Sequence, residues 1–292
     1  MSQFLQVLLS GLATGAIYAL VAIGFTLVWQ AAQTVNFAQG EFVMVPAFFV
    51  LAGGKYLGLG FWPALAFGLA VSLLVLGVAF KKGIVDPILP HGGVTLVIAT
   101  MALGVLLRES AKEFYGAEAQ PFASIFPGEA FNLFGAMVSA RDLLNLLLSL
   151  AIVVGLTLFL DRTRTGRAMQ AAAQNPAVAR ILGVDIARMT LYAFLINAAL
   201  AALASFLITP VYLAKFSNGE TLGLVAFIAA IVGGFNQIRG AIVGGLLIGV
   251  LDTLTAAYVT AQYRAALPLV LLIAIILLRP QGLMGTSEGR AV

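Results

Sequence analysis

Cysteine is absent from this sequence, histidine occurs once, and charge is scarce. Without cysteine there are no disulfides and no thiolate metal ligands, and the lone His91 has no second imidazole for a metal cluster or a serine–histidine–aspartate relay. No acid–base pair is matched for catalysis, so no catalytic residues, no metal site and no cofactor bound by the chain itself are expected. A G-x-x-x-x-G-K-[ST] phosphate loop is also missing: the Gly-Lys pair is Gly54-Lys55, and Tyr56 follows it. The net charge of +4 comes from residues lying between apolar runs, not from a basic stripe interleaved with aromatics. That pattern is the positive-inside bias of a membrane protein and does not point to nucleic acid.

Hydrophobic residues make up 61% of the 292, and the mean hydropathy is +1.05, beyond the range of a soluble domain. A span needs about 20 apolar residues to cross roughly 30 Å of hydrocarbon. That ruler predicts helices at about 4–29, 42–57, 61–80, 94–107, 143–160, 189–213, 241–259 and 265–278. The run at 222–235 would reach only about 21 Å as a helix, so it is read either as a tilted span or as a re-entrant half-helix. The first run is too long for a signal-peptide core, and no Lys or Arg precedes Lys55, so it is read as a retained span. The expected fold is all-α: a polytopic transmembrane bundle of eight or nine spans, with broken or re-entrant helices, forming one domain over 1–292.

Five of the sixteen Lys and Arg residues fall between 161 and 188: Arg162, Arg164, Arg167, Arg180 and Arg188. The positive-inside rule places that segment, and Lys81 and Lys82, in the cytoplasm. Counting spans outward puts the N-terminus and the acidic stretch around Glu109, Glu113, Glu118 and Glu129 outside. It makes 112–141 a long external loop containing Pro121 and Pro127. The "LLRPQGLMG" region and Arg290 fall inside if 222–235 crosses.

Two polar breaks interrupt apolar territory, "QTVNFAQGEFVMV" from Gln33 and "GGFNQIRGAIVGG" from Gly233, each with Asn and Gly four apart (Asn36/Gly40, Asn236/Gly240). Backbone leaving a helix at membrane depth needs a partner or a wet cavity, so such breaks are read as pathway turns or, alternatively, as surface loops. Glu41 and Asp252 are the carboxylates nearest to spans; each either caps or pairs ionically, or lines a cavity. Asn197, among small residues, is expected to make an interhelical hydrogen bond.

Within 161–188, Asn175 is a favoured N-cap, Pro176 fits the first helical position and Gly183 supplies a stop, predicting a short helix at 176–182. Thr165 is expected to cap a preceding helix running to Gln174. The run Ala171–Ala173 offers a smooth face. The segment is either a basic loop lying on anionic lipid or a shaped surface for a cytoplasmic partner.

The ordered stretches "VNFAQGEFVMV", "TRTGRAMQAAAQNPAVARILGVD", "AAIVGGFNQIRGAIVGGLLIGVLD" and "LRPQGLMG" resemble those of LivH-type permease subunits of bacterial branched-chain amino acid ABC importers. The resemblance implies a multi-pass inner-membrane permease with a related second permease, two cytoplasmic ATP-binding subunits carrying the ATP and Mg, and a periplasmic solute-binding protein. It assigns the ATPase-coupling role to Gly166, Arg167, Asn175, Pro176, Arg180 and Gly183. It makes Asn36, Gln39 and Glu41 pathway residues, to which the second break and the carboxylate pattern add Asn236 and Asp252. Gln39 stands where such proteins are expected to carry His, and Asp252 where Glu is common. Relatives of this type also carry urea and short amides, and an ion-coupled secondary transporter is the rival class.

Overall fold

The computed structural model describes residues 2–126, 128–133, 136–264 and 266–285. The expected inside position of Arg290 lies outside them, as do Pro127 of the outer loop and Ala265 at the start of the last predicted span. Eleven helices are described: α1 Ser2–Ala32, α2 Gln39–Leu57, α3 Phe61–His91, α4 Gly93–Tyr115, α5 Ala140–Arg162, α6 Arg164–Gln174, α7 Pro176–Ile181, α8 Ile186–Tyr212, α9 Asn218–Gly233, α10 Ile238–Tyr258 and α11 Ala266–Leu278. The all-α expectation holds, with one addition: strands β1 Ala130–Leu133 and β2 Ala136–Ser139 pair antiparallel, Phe131 opposite Val138.

Among the described residues, seven helices (α1–α5, α8 and α10) are long and apolar enough to cross a bilayer, and the chain is a multi-pass membrane protein. The sixteen residues of α9 rise about 24 Å and the thirteen of α11 about 20 Å, both short of the roughly 30 Å core.

Two predicted ends move. α3 runs eleven residues past Phe80, with π-helical stretches on either side of it at Leu73–Ala79 and Lys81–Val85, and the buried Lys81 ammonium is neutralised within the helix by Asp86 at 2.9 Å. α4 continues past 107 to Tyr115, so Glu109 and Glu113 belong to its last turns and not to a loop. Lys112 lies 3.5 Å from Glu109, one helical turn away, and Arg108 donates to Glu220 at 2.9 Å, so the charges at this end have partners.

The chain divides into two units, with boundaries inside α1, α5 and α9 and in the loop after α4. One unit comprises 27–125 and 150–223. Its centre is α2, packed against α3, α4 and α8. Phe42, Phe80 and Phe194 form a run of ring contacts with centroids 4.9 and 5.7 Å apart, and Met44, Phe48, Ala202 and Phe206 extend that core. The outer face of α4 presents Val94, Ile98, Met101, Val105 and Leu106, which suit hydrocarbon.

The other unit comprises the chain up to Thr26, Phe126–Ser149 and Leu224 onward. α1 and α10 meet through glycines: Gly11 and Gly15 on one helix face Gly245 and Gly249 on the other, leaving no room for side chains. Small residues spaced by four let helix backbones approach in lipid, where van der Waals packing replaces the hydrophobic drive. The segment after α11 returns to the end of α9, where Leu283 N–H donates to the Val232 carbonyl and Met284 N–H to the Gly233 carbonyl, both at 2.9 Å. These bonds meet carbonyls that a helix end leaves unpaired.

Candidate functional site

The first polar break, residues 33–38, is a deep link between two helices. Thr34 donates to the carbonyl of Gly93, the first residue of α4, and the Phe37 N–H reaches Thr100 Oγ1 at 3.2 Å. Seven residues of α4 rise about 10 Å, which the three steps from Thr34 to Phe37 cover only if nearly extended. The link thus climbs beside α4 before α2 begins. The Asn36 side-chain oxygen accepts from Ala38 N–H at 3.1 Å, closing a local turn that helps to start α2.

Gln39 opens α2 wholly buried and exchanges two hydrogen bonds with Asn197 of α8: its Nε2 donates to Asn197 Oδ1 at 2.6 Å, and Asn197 Nδ2 donates back to Oε1 at 3.0 Å. Asn36 Nδ2 adds a longer bond to the same Oε1, at 3.4 Å. Asn197 lies eleven residues into α8, about 16 Å along it, or roughly half the hydrocarbon thickness. Two primary amides joined reciprocally satisfy each other where neither finds water. Asn197→Ala is expected to cost about 1–3 kcal/mol, because Gln39 is then left buried with unmet groups. Thermal unfolding of the purified protein checks it.

Glu41 follows in the first turn of α2, with its residue 8% exposed. α2 comes against the start of α9 at Gly40, where a methyl group would overlap the Gly219 carbonyl. On the other side, the Glu41 carboxylate rests against Gly104 of α4, eleven residues into that helix and again about 16 Å along it.

Asn236 and Asp252 belong to the second unit. Asn236 is exposed in the 234–237 turn between α9 and α10, a turn that Gln237 N–H closes on the Gly234 carbonyl at 2.9 Å. Asp252 is deeply buried on α10 and held on three sides: Arg264 Nε and Nη2 each donate at 2.6 Å to its two oxygens, and Tyr18 OH donates at 3.2 Å. A two-pronged guanidinium fork satisfies the carboxylate in place of water. This geometry is the ion-pair alternative stated for Asp252.

The basic segment folds as two short helices at a bend. α6 is capped by Thr163, not Thr165: Thr163 Oγ1 accepts from Gly166 N–H at 2.9 Å and donates to the Phe159 carbonyl at 2.7 Å. Thr165 lies inside the helix, two residues past the capping position. Asn175 caps α7 as expected, accepting from Val178 N–H at 3.0 Å, with Pro176 first in the helix and Gly183 at φ +84° beyond it. Gly166 is buried against Phe159 and Leu160 of α5, where a side chain would collide with backbone.

Arg167, Asn175, Pro176, Arg180 and Gly183 are exposed, but the alanine face is not: Ala172 is buried and Ala171 and Ala173 are half-buried. Instead the protruding apolar surface is on α7 and its cap, with Ile181 85% and Leu182 75% exposed beside Val178. Sequence reading passed over these residues because two apolar side chains in a six-residue helix and a third at its cap look like core.

A family model described as the permease component of a branched-chain amino acid transport system matches residues 7–276. The chain is 32% identical over 302 residues to the high-affinity branched-chain amino acid transport system permease protein BraD of Pseudomonas aeruginosa, covering 98% of this chain and 97% of that one. It is 28% identical over 297 residues to the LivH permease protein of the corresponding Escherichia coli system, covering 98% and 96%. With the LivM permease protein of Escherichia coli it shares 26% identity over 294 residues, covering 92% of this chain and 68% of LivM.

Proposed function

Because the chain belongs to the family of branched-chain amino acid transport system permease components, a family of transport subunits and not of enzymes, we propose that it forms half of the solute pathway of an ATP-driven importer in the bacterial inner membrane. The match over residues 7–276 carries this reading. A related permease supplies the other half, a pairing supported by the detectable likeness to LivM. Two cytoplasmic subunits bind and hydrolyse ATP with Mg, since this chain has no phosphate loop. A periplasmic binding protein delivers the branched-chain amino acid.

The pathway is assigned to the deep turn at Asn36, Gln39 and Glu41 in one unit, and Asn236 and Asp252 are assigned to the pathway side of their own unit. A helix broken at mid-depth is where a transporter places its solute, because polar backbone is tolerated there only beside a cavity or protein partner. Asp252, held by Arg264 and Tyr18, acts as a fixed strut of its own unit. Coupling to the ATPases falls to α6 and α7: Gly166 fixes the module onto α5, Asn175, Pro176 and Gly183 shape the bend, and Arg167 and Arg180 project from it.

An apolar knob framed by arginines suits a groove in a soluble partner better than a lipid surface alone. Replacing Ile181 and Leu182 together by Asp is expected to cost about 2 kcal/mol or more of ATPase binding, as truncating anchor residues at interfaces does. Membrane insertion and yield should stay unchanged. Co-purification of the tagged permease with its ATP-binding subunits measures the loss; retention at the wild-type ratio would remove the docking role from α7.

A further inference from the structure

The surroundings of Glu41 are more specific than a polar turn requires. Three charged side chains converge in the first unit: Glu41 at the start of α2, Arg108 on α4 and Glu220 at the start of α9. The glycines at the crossings bring them together, since Gly219, next to Glu220, abuts the backbone of Glu41, and the missing side chain of Gly104 lets the Glu41 carboxylate rest against α4. Arg108 is one turn beyond Gly104 on the same face, and helical side chains lean toward the N-terminus, so its stem lies over that place.

Among the described residues Glu41 enters no ion pair, although it is the buried acid of the two. Arg108 instead donates at 2.9 Å to Glu220, whose side chain is 73% exposed. A structural pairing would favour the opposite choice: the buried carboxylate is the costlier one to leave without a cation. The arrangement leaves Glu41 in need of a positive group, and holds Arg108 through the far less buried of the two acids.

We propose that Glu41 and Arg108 form a clamp for the two charges of a free α-amino acid, and that Glu220 is the placeholder that keeps Arg108 in position between transport cycles. The ligand's ammonium goes to Glu41 and its carboxylate takes the Arg108 fork, displacing Glu220 toward solvent. Glu41, the ammonium, the carboxylate and Arg108 then alternate in sign, so that each charge of the ligand meets its opposite. A neutral solute such as urea or a short amide provides neither charge, so the clamp selects zwitterions within the pathway itself. This rests on the importer reading given above and deepens it by naming the residues that recognise the backbone of the amino acid.

The test is ATP-driven uptake of radiolabelled leucine by the complete importer in proteoliposomes, for the wild type and for Glu41→Gln, Arg108→Gln, Arg108→Lys and Glu220→Gln, each normalised to complex assembled. The clamp predicts at least a tenfold loss for Glu41→Gln and Arg108→Gln, a smaller loss for Arg108→Lys, which keeps charge without the fork, and for Glu220→Gln, which loosens the resting position of Arg108, a loss several-fold smaller again. If Arg108→Gln does not assemble, the contrast between Arg108→Lys and Glu220→Gln carries the same comparison. Equal losses on changing Arg108 and Glu220 would make their contact a plain structural ion pair and overturn the proposal. Loss confined to Glu41→Gln, with both Arg108 variants transporting normally, would overturn it in favour of a bare cation or proton site. A wild-type complex that moves no leucine would defeat the importer reading itself, an outcome separate from wild-type uptake that all four variants share.

Discussion

Leucine at Gly249 is expected to remove nearly all folded protein from the membrane. Gly249 of α10 lies against Gly15 of α1 so closely that even a methyl group would occupy the space of the Gly15 backbone, and Gly245 is set the same way against Ala19. Flexible side-chain ends can rotate away from an added group, but helix backbones can yield only by moving the helices apart. Separation would also release the neighbouring contacts of Gly11 with Val250 and Thr253. Overpacking of this kind costs about 3 kcal/mol or more, which is roughly a hundredfold in the folded population. Gly155 on α5 has open space where its side chain would be, and Gly155→Leu is the matched control with near-normal yield. Monodisperse protein recovered after detergent extraction measures both; equal recovery would mean that the α1–α10 crossing is looser than described.

Arg264→Ala is expected to be the most destabilising change of a charged residue, at about 3–5 kcal/mol, because it strands a buried carboxylate. Asp252 is 4% exposed at its side chain and takes both prongs of the guanidinium, whereas Arg264 is 36% exposed. The two partners are therefore unequal: Asp252→Ala leaves a cation that can turn toward water and should cost less. Tyr18 OH alone cannot satisfy both oxygens of the stranded acid. The double variant Asp252→Ala/Arg264→Ala should recover part of the loss seen in Arg264→Ala. Thermal unfolding of the three purified variants decides the order, and an Arg264→Ala protein as stable as Asp252→Ala would show that Asp252 finds another partner.

What could be read from the sequence follows from which forces are local. A bilayer demands a minimum length of apolar helix, so the positions of the spans were legible, as was the Asn175–Pro176 cap, whose partners lie three residues apart. Span ends were less so. The hydropathy of α4 stops at Arg108, but the helical backbone has no reason to stop there once Lys112 and Glu220 balance its charges. Thr163 and Thr165 look alike in sequence, and only the start of α6 tells which hydroxyl faces the free N–H of Gly166. Asn197 was expected to bond across helices, but its partner Gln39, 158 residues away, carries no local sign of the match. The same distance hid the convergence of Glu41, Arg108 and Glu220, which depends on two helix crossings at glycine, α2 with α9 and α2 with α4.

The bonds from Leu283 and Met284 to the end of α9 also set a timetable. Those residues leave the ribosome 51 positions after Val232, which at about 5–20 residues per second is roughly 3–10 s later. During that interval the last carbonyls of α9 must be met by water or by a temporary partner. A message that stops between the two regions would yield a membrane-inserted chain with an open helix end, a defect that surveillance proteases are well placed to read.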